Sequence, residues 1–165
     1  MSSPVIPRWH SIIQWFVAKP LMTRFFSLIV VRVDRQFLVL TKGKFAPTGF
    51  IAGWPIVNLT TTGVKTGQLR TTPVVGIPDG QKIILIASNF GKPHHPAWYY
   101  NLKKNPIATI ANKGATIVFK ASEASITEQQ KYWQTAVAIY PGFMLYADRA
   151  GRRIPIIILE PLEDT

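Results

Sequence analysis

The sequence predicts a small, largely antiparallel β-barrel of the α+β class, with helices at its edges. Short runs of β-forming residues follow one another from residue 56 onward, tight-turn signals separate several of them, and helix signals interrupt the series. The chain has 165 residues, of which 47% are hydrophobic. That is about the size of one domain with a single buried core.

The first predicted element is helical. Apolar residues recur at helical spacing in residues 7–18, and Pro20 ends the element. A second short helix is expected at residues 21–31. We therefore predict an N-terminal amphipathic helical segment at residues 1–32 and a barrel domain at residues 33–165.

The strands are predicted from runs of β-branched and other apolar residues. Between two of these runs, residues 78–81 contain Asp-Gly, which supplies the positive φ angles of a hairpin turn. Residues 112–114 give a second turn signal. Consecutive hairpins make the sheet antiparallel. The predicted strands cover residues 56–61, 71–77, 82–88, 108–111, 115–121 and 154–159.

Two helices are expected between the strands. Residues 97–104 follow Pro96, which is tolerated in a first helical turn, and Asn-Pro then stops the helix. Residues 127–130 fit a capping box that opens a helix running to about residue 139. At residues 140–142, Tyr-Pro-Gly is expected to break the chain.

The charge of the chain indicates an anionic partner. Its formal net charge of +11 attracts phosphate groups, nucleic acid or an acidic lipid surface. Residues 1–54 combine seven cations and one acid with many bulky apolar residues, which suits an interfacial helix. The alternative is a helix pair that packs on its own domain. Nucleic-acid binding is not expected, because the aromatic residues form no stacking series interleaved with the basic ones.

Composition excludes several kinds of site. The chain has no cysteine, so disulfides, thiolate metal sites and cysteine nucleophiles are ruled out, and a cytoplasmic location is expected. Its three histidines include the adjacent pair His94 and His95, and we predict no metal. The longest apolar run, residues 25–31, is far shorter than the roughly 20 residues that span a bilayer. Prolines and cations interrupt every candidate signal-peptide core.

The first candidate binding element is the turn at residues 61–70. Gly63 and Gly67 allow the backbone to turn sharply and expose its N–H groups, while Lys65 and Arg70 add positive charge. Such an arrangement suits phosphate or carboxylate groups. It is not a P-loop, because the terminal Gly-Lys-Ser/Thr is missing. The alternative is a solvated hairpin with surface cations.

A second candidate element follows a predicted strand at residues 87–92. It offers hydrogen-bonding side chains, a ring face, a glycine and a cation, and the helix N-terminus beyond Pro96 favours an anion beside it. Trp98 either covers a bound ring system or packs in the core. The residues that carry these properties are Ser88, Asn89, Phe90, Gly91 and Lys92.

Three motif blocks carry a family resemblance over residues 33–161. They read LTTTGxKTGxxRxxP, ASNxGxPxHPxWYxNLxxNP and YPGFMLYADRAGRRIPIIILEP. In this order and spacing they resemble the deazaflavin-dependent nitroreductase family. The resemblance implies an FMN-binding split-barrel-like fold and, as cofactor, coenzyme F-420, an anionic deazaflavin with a phosphate and an oligoglutamate tail. FMN is the alternative cofactor.

The resemblance also implies which residues bind the coenzyme. The phosphate or tail would contact Val64, Lys65 and Thr66, and the contacts would continue along Arg70, Thr71, Thr72 and Pro73. The ring and its polar edge would be lined by Ile86, Ala87, Ser88 and Asn89. The helix start beside the coenzyme would comprise Ala97, Trp98, Tyr99, Tyr100 and Asn101.

The third block corresponds to the substrate side. Tyr140, Phe143 and Tyr146 stand where family members place aromatic residues over the ring, and Phe143 lacks the hydroxyl of a tyrosine. Asn89 stands where a lysine can occur, which removes one ionic contact. Tyr140, Tyr146 and Ser88 are the candidate catalytic proton donors, with solvent as the competing source.

The function implied by this resemblance is hydride transfer from reduced coenzyme F-420 to a small acceptor that is quinone-like, nitroaromatic or another electrophile. The alternatives are an FMN-dependent oxidoreductase and a non-enzymatic deazaflavin- or lipid-binding protein. A quinone-like acceptor would suit peripheral contact with the inner face of the cell membrane. Pairing of two barrels as a homodimer is a further expectation, unless the N-terminal segment covers that sheet face.

Overall fold

The computed structural model describes residues 55–112 and 115–162. The predicted N-terminal segment at residues 1–32 and its two helices lie outside the described residues, as do residues 113–114 of the second predicted turn. The boundary at residue 33 therefore stays a prediction.

Six strands, three helices and one short 3₁₀ turn make up the described residues. The strands are β1 (Ile56–Thr62), β2 (Leu69–Asp79), β3 (Lys82–Ile86), β4 (Ile107–Asn112), β5 (Ala115–Glu123) and β6 (Ile156–Pro161). The helices are α1 (Ala97–Lys104), α2 (Ile126–Ile139) and α3 (Gly142–Ala150), and the 3₁₀ turn is Asn89–Gly91.

The strands form a closed barrel in the order β1-β2-β3-β6-β5-β4, and every pair is antiparallel. β2 changes partner along its length, since residues 69–75 pair with β1 and residues 76–79 with β3. At this change, Gly76 permits a close approach, because a Cβ there would lie 2.6 Å from Val57 and 3.0 Å from Ile83. The predicted fold class is confirmed.

Alternating side chains divide the core into two clusters. Leu59, Leu85 and Phe119 belong to the cluster inside the barrel, and Trp98 and Leu102 of α1 close one part of it. A second cluster lies on the other face of β3 and β6, where α2 and α3 pack. The barrel therefore separates α1 from the aromatic residues of α3.

The turn at Gly80 and the start of α2 show how local sequence sets the element boundaries. Gly80 has φ +63° between β2 and β3, as predicted for that hairpin. The predicted capping box at residues 127–130 is wrong. Ser125 is the N-cap, its hydroxyl accepts from the Glu128 amide, and the Glu128 carboxylate accepts from the Ser125 amide. Residues 127–130 and residues 125–128 both fit the capping-box pattern. The second ends in Glu128, whose carboxylate binds the helix N-terminus more strongly than a side-chain amide does.

Helix α3 was not predicted. Pro141 occupies its N-cap position and Gly142 its first turn, where neither residue interrupts an intrahelical hydrogen bond. The helix ends at Gly151, which adopts the left-handed conformation with φ +58°. The Tyr-Pro-Gly sequence thus separates two helices instead of ending the helical region.

Candidate functional site

A cavity of about 940 Å³ lies between the turn that joins β1 to β2 and the N-terminal half of α1. Its size is within the usual range for a cofactor site. Polar, cationic and aromatic side chains line it. The described lining residues are Asn58, Gly63, Val64, Lys65, Thr66, Leu69, Arg70, Thr71, Thr72, Pro73, Ala97, Trp98, Tyr100 and Asn101.

The described wall of this cavity carries positive charge without a compensating acid. Lys65 and Arg70 lie on the exposed turn, and none of the described lining residues is acidic. The Arg70 Nη2 donates a hydrogen bond to the Gln68 side-chain oxygen at 3.3 Å. The described ion pairs involve other cations, at Lys82, Lys103, Lys131 and Arg153. The cavity therefore attracts an anion.

Asn101 fixes the turn to helix α1. Its Nδ2 donates to the Thr61 hydroxyl at 2.9 Å, and its Oδ1 accepts from the Val64 amide at 3.1 Å. Thr61 and Asn101 are both buried. One turn further along α1, the Asn105 Nδ2 donates to the Thr62 hydroxyl at 3.3 Å. These contacts hold the cationic turn at a set distance from the helix.

Asn58 provides the cavity with an unused hydrogen-bond acceptor. The residue is only 6% exposed, yet its Oδ1 has no hydrogen-bond partner among the described residues. Asn58 lies opposite Pro73 in β2, which has no N–H to donate. A buried acceptor without a partner costs about 1–3 kcal/mol. The atom is fully covered by protein, so a ligand that displaced the covering atoms and donated an N–H or O–H group would remove this cost.

The second loop, residues 87–96, lies outside the described lining of the cavity. Ile86, Ala87 and Ser88 are buried, and the Asn89 Nδ2 donates to the His94 carbonyl at 2.9 Å. Asn89 and Phe90 both have positive φ angles, 50° and 57°, which are uncommon for residues other than glycine.

The aromatic residues of the third block are brought together on the far side of β3. Tyr140 and Tyr146 are 3% and 4% exposed, and their hydroxyls are 3.0 Å apart. Phe143 packs edge-on against both rings, with centroid distances of 5.3 and 6.2 Å. Burial, together with the neighbouring Tyr146, raises the pKa of Tyr140 well above its ordinary value. The Tyr140 hydroxyl therefore stays protonated and acts as a hydrogen-bond donor or acceptor.

The second loop and α3 are in direct contact. Gly91 packs against the backbone of Tyr146, since a Cβ at Gly91 would lie 3.1 Å from the Tyr146 Cα and carbonyl oxygen. The Phe90 and Tyr146 rings are 6.3 Å apart. A change in the loop conformation would thus move the aromatic group.

The structure gathers most of the predicted coenzyme residues around the cavity. Eleven of them line it, namely Val64, Lys65, Thr66, Arg70, Thr71, Thr72, Pro73, Ala97, Trp98, Tyr100 and Asn101. The other predicted site residues, which are not among the described lining residues, are Ile86, Ala87, Ser88, Asn89, Tyr99, Tyr140, Phe143 and Tyr146. The assignment of both groups of residues to the coenzyme and the acceptor stays a prediction.

Sequence reasoning missed Asn58 as a lining residue, and it placed Gly63 and Leu69 in the candidate turn but not among the coenzyme contacts. Asparagine is uncommon inside a strand, so Asn58 within an apolar run was a usable signal. Leu69 is 74% exposed at the start of β2, and its sequence context gives no such signal. Trp98 lines the cavity and also belongs to the cluster inside the barrel, while its contact with a bound ring system stays a prediction.

Residues 55–112 and 115–162 contain no group of three histidine, aspartate or glutamate side chains placed to hold a metal ion. No helix in the same ranges has the length and apolar content that crossing a bilayer requires.

A closed antiparallel barrel with a cationic cavity beside a short helix defines the class of split-barrel flavin and deazaflavin oxidoreductases. Within this class, the chain belongs to the F420H(2)-dependent quinone reductase family, whose sequence profile matches residues 30–161. The predicted family, fold and enzyme class are confirmed. Coenzyme F-420 is the cofactor that this membership supports over FMN.

Individual relatives agree with this assignment. An F420H(2)-dependent quinone reductase of Mycobacterium tuberculosis is 33% identical over 108 residues, which are 64% of this chain and 72% of the relative. A solved structure described as an F420-H2 dependent reductase is 36% identical, with a TM-score of 0.59 over 64% of this chain and 94% of that one. A solved structure described as a domain-swapped dimer has the same identity and TM-score and covers 80% of that chain.

The residues of the cavity fit a deazaflavin coenzyme. Lys65 and Arg70 match an anionic tail. Trp98 and Tyr100 offer apolar surface for the ring system.

Proposed function

We propose that this protein reduces a quinone-type acceptor with reduced coenzyme F-420 bound in the cavity between the β1–β2 turn and α1. The observation that carries the proposal is the cavity itself, a cationic site whose described wall contains no acid and one unpaired buried acceptor. The named function of the relatives supports the choice of a quinone.

The cavity residues bind and orient the coenzyme in this proposal. Lys65 and Arg70 hold its phosphate and carboxylate groups, and Asn101 keeps their turn in place. Asn58 accepts a hydrogen bond from the ring system or its polyol chain. When bound, the reduced deazaflavin supplies a hydride. The residues of the second loop, with Ser88 and Asn89, line the polar edge of the ring.

The acceptor side consists of Tyr140, Phe143 and Tyr146. These rings are buried, so a planar acceptor would reach them only if α3 or the second loop moved. The raised pKa of Tyr140 makes its hydroxyl a weak acid, so solvent is favoured over this residue as the source of the proton. Phe143 removes one hydroxyl that a nitroaromatic substrate would use, which favours quinones.

The test is a spectrophotometric assay that follows the oxidation of reduced coenzyme F-420 with quinones, nitroaromatics and unsaturated carbonyl compounds. We expect quinones to be the best acceptors. Arg70→Ala should weaken binding of the coenzyme by roughly 10- to 100-fold, since one charge-assisted interaction is worth about 1.5–3 kcal/mol. Lys120→Ala removes an exposed cation of β5 outside the described cavity lining and serves as the charge-matched control.

Two results would contradict the proposal. If the wild-type protein bound the reduced coenzyme but none of the acceptors caused its oxidation, the protein would be a carrier and not an enzyme. Equal loss of affinity in the Arg70 and Lys120 variants would show that net charge, and not the cavity, attracts the coenzyme.

We also propose that the protein is cytoplasmic and contacts the inner face of the cell membrane through its basic N-terminal segment, where a lipid-soluble quinone would be available. The full chain should co-sediment with vesicles of anionic lipid, and added salt should release it. Equal binding to neutral vesicles would contradict this proposal.

The domain-swapped dimer formed by one relative supports a homodimer here as well. Sedimentation velocity without vesicles should show two chains per particle.

A further inference from the structure

Arg152, in the connection between α3 and β6, binds the second loop through its backbone. Its Nε donates to the Lys92 carbonyl at 3.2 Å. Its Nη2 donates to the His94 carbonyl at 3.1 Å and to the Ala87 and Ser88 carbonyls at 3.3 Å each. One side chain thus contacts both the beginning and the end of the loop.

The loop that Arg152 binds contains three successive residues in the left-handed region. Asn89, Phe90 and Gly91 have φ angles of 50°, 57° and 74°. A residue other than glycine pays about 1–2 kcal/mol for this conformation. Two short backbone bonds stabilise the turn, from the Gly91 amide to the Ser88 carbonyl and from the Lys92 amide to the Asn89 carbonyl. Such a conformation persists when surrounding contacts hold it.

Arg152 also connects the loop to α1 through His95. Its Nη1 lies 2.7 Å from the His95 Nδ1. Because a guanidinium can only donate, Nδ1 is the acceptor and the proton of the neutral ring sits on Nε2. The His95 ring packs against Tyr99 at 4.6 Å and Tyr100 at 5.8 Å between centroids. Tyr100 in turn lines the cavity.

We propose that Arg152 is a positioning residue for the coenzyme site: its guanidinium fixes the strained second loop and aligns it with the N-terminal turn of α1. The guanidinium makes six contacts with its five N–H groups, since Nη1 also donates to the Arg153 carbonyl at 3.0 Å and the two N–H groups of Nη2 share three carbonyls. Lysine has the charge but not the planar fork, so it cannot reproduce these contacts. The inference rests on the proposed function, in which this loop lines the edge of the ring.

The first measurement is amide hydrogen exchange in the coenzyme-free full chain. We expect Arg152→Ala and Arg152→Lys to speed exchange in residues 88–95 by about 10-fold or more, while the strands of the barrel keep their protection. Arg153→Ala is the matched control, since Arg153 is exposed and its contacts are long, 3.7 Å to Glu123 and 3.5 Å to Gln129. It should leave the loop unchanged.

A second readout follows the His95 ring. Burial and the adjacent Arg152 charge lower the pKa of His95. In Arg152→Ala and Arg152→Lys the Nδ1 atom loses its fixed donor, and ¹⁵N chemical shifts should show both neutral tautomers. Arg153→Ala should retain the single tautomer of the wild-type protein.

The third measurement is the dissociation constant of oxidised coenzyme F-420, read from its fluorescence. Both Arg152 variants should bind it at least about 10-fold more weakly, because the loop must be reordered on binding.

Three results would overturn the proposal. These are faster exchange in the loop with an unchanged dissociation constant, wild-type behaviour of Arg152→Lys in all measurements, and equally faster exchange throughout the barrel. The two proposals fail separately: wild-type protein that binds no coenzyme overturns the proposed function, and unchanged exchange in residues 88–95 overturns the role of Arg152.

Discussion

Replacement of Asn101 by leucine should both destabilise the protein and abolish tight coenzyme binding. The substitution removes the bonds to the Thr61 hydroxyl and the Val64 amide, and it leaves those groups without a partner. We expect a loss of about 2–3 kcal/mol in the free energy of unfolding, which lowers Tm by roughly 5–10 °C for a chain of this size. The cationic turn would lose its attachment to α1, so coenzyme affinity should fall by about 10-fold or more.

The matched control for this prediction is Asn105→Leu. Asn105 is also an amide near the end of α1, but its two side-chain bonds are long, 3.3 Å each, and it does not line the cavity as described. Chemical denaturation should show a smaller destabilisation for this variant, and fluorescence titration should show a smaller loss of coenzyme affinity. Equal loss of affinity in the two variants would mean that the bond between Asn101 and the turn does not shape the site.

The barrel could be predicted because each strand carries its own pattern. In β3, Ile84 and Ile86 face α2 and α3 while Leu85 faces the barrel interior, so adjacent apolar residues serve two cores. Asp-Gly at Asp79 and Gly80 specifies a turn by its backbone conformation alone. These patterns involve only neighbouring residues, so they predict the same strands and turn that the folded chain contains.

Helix α3 begins beside the Tyr140 ring. A Cβ at Gly142 would overlap that ring, so the glycine leaves room for it. Read as a local signal, Pro141 followed by glycine indicates a break. The exposed side chains Met144 and Leu145 further obscured the amphipathic pattern.

The site was predicted in part for a similar reason. The turn around Lys65 and the start of α1 carry their own cations and motif residues, and the structure places them on one cavity. The connection between Arg152 and the second loop joins residues about 60 positions apart in sequence. Such a contact follows from the closure of the barrel between β3 and β6, which only the pairing of the strands reveals.

Asn58 and Asn101 are both buried asparagines that line the same cavity, but they differ in the hydrogen bonding of their side chains. The Asn101 amide has partners on both sides, whereas the Asn58 Oδ1 has none among the described residues. A buried polar group without a partner lowers stability unless a ligand satisfies it. We therefore expect Asn58 to lower the stability of the coenzyme-free protein and, in the proposed function, to contribute to binding.

The same substitution at the two positions should consequently have opposite effects on stability. Asn58→Leu should raise the free energy of unfolding of the coenzyme-free protein by about 1 kcal/mol, because leucine has a similar volume and no acceptor to desolvate. Coenzyme affinity should nevertheless fall by about 10-fold, which corresponds to about 1.4 kcal/mol of lost binding free energy. Addition of the coenzyme should then stabilise the wild-type protein more than the variant in thermal unfolding. If Asn58→Leu lowered stability as Asn101→Leu does, Asn58 would be a structural residue and its Oδ1 would not be held ready for the coenzyme.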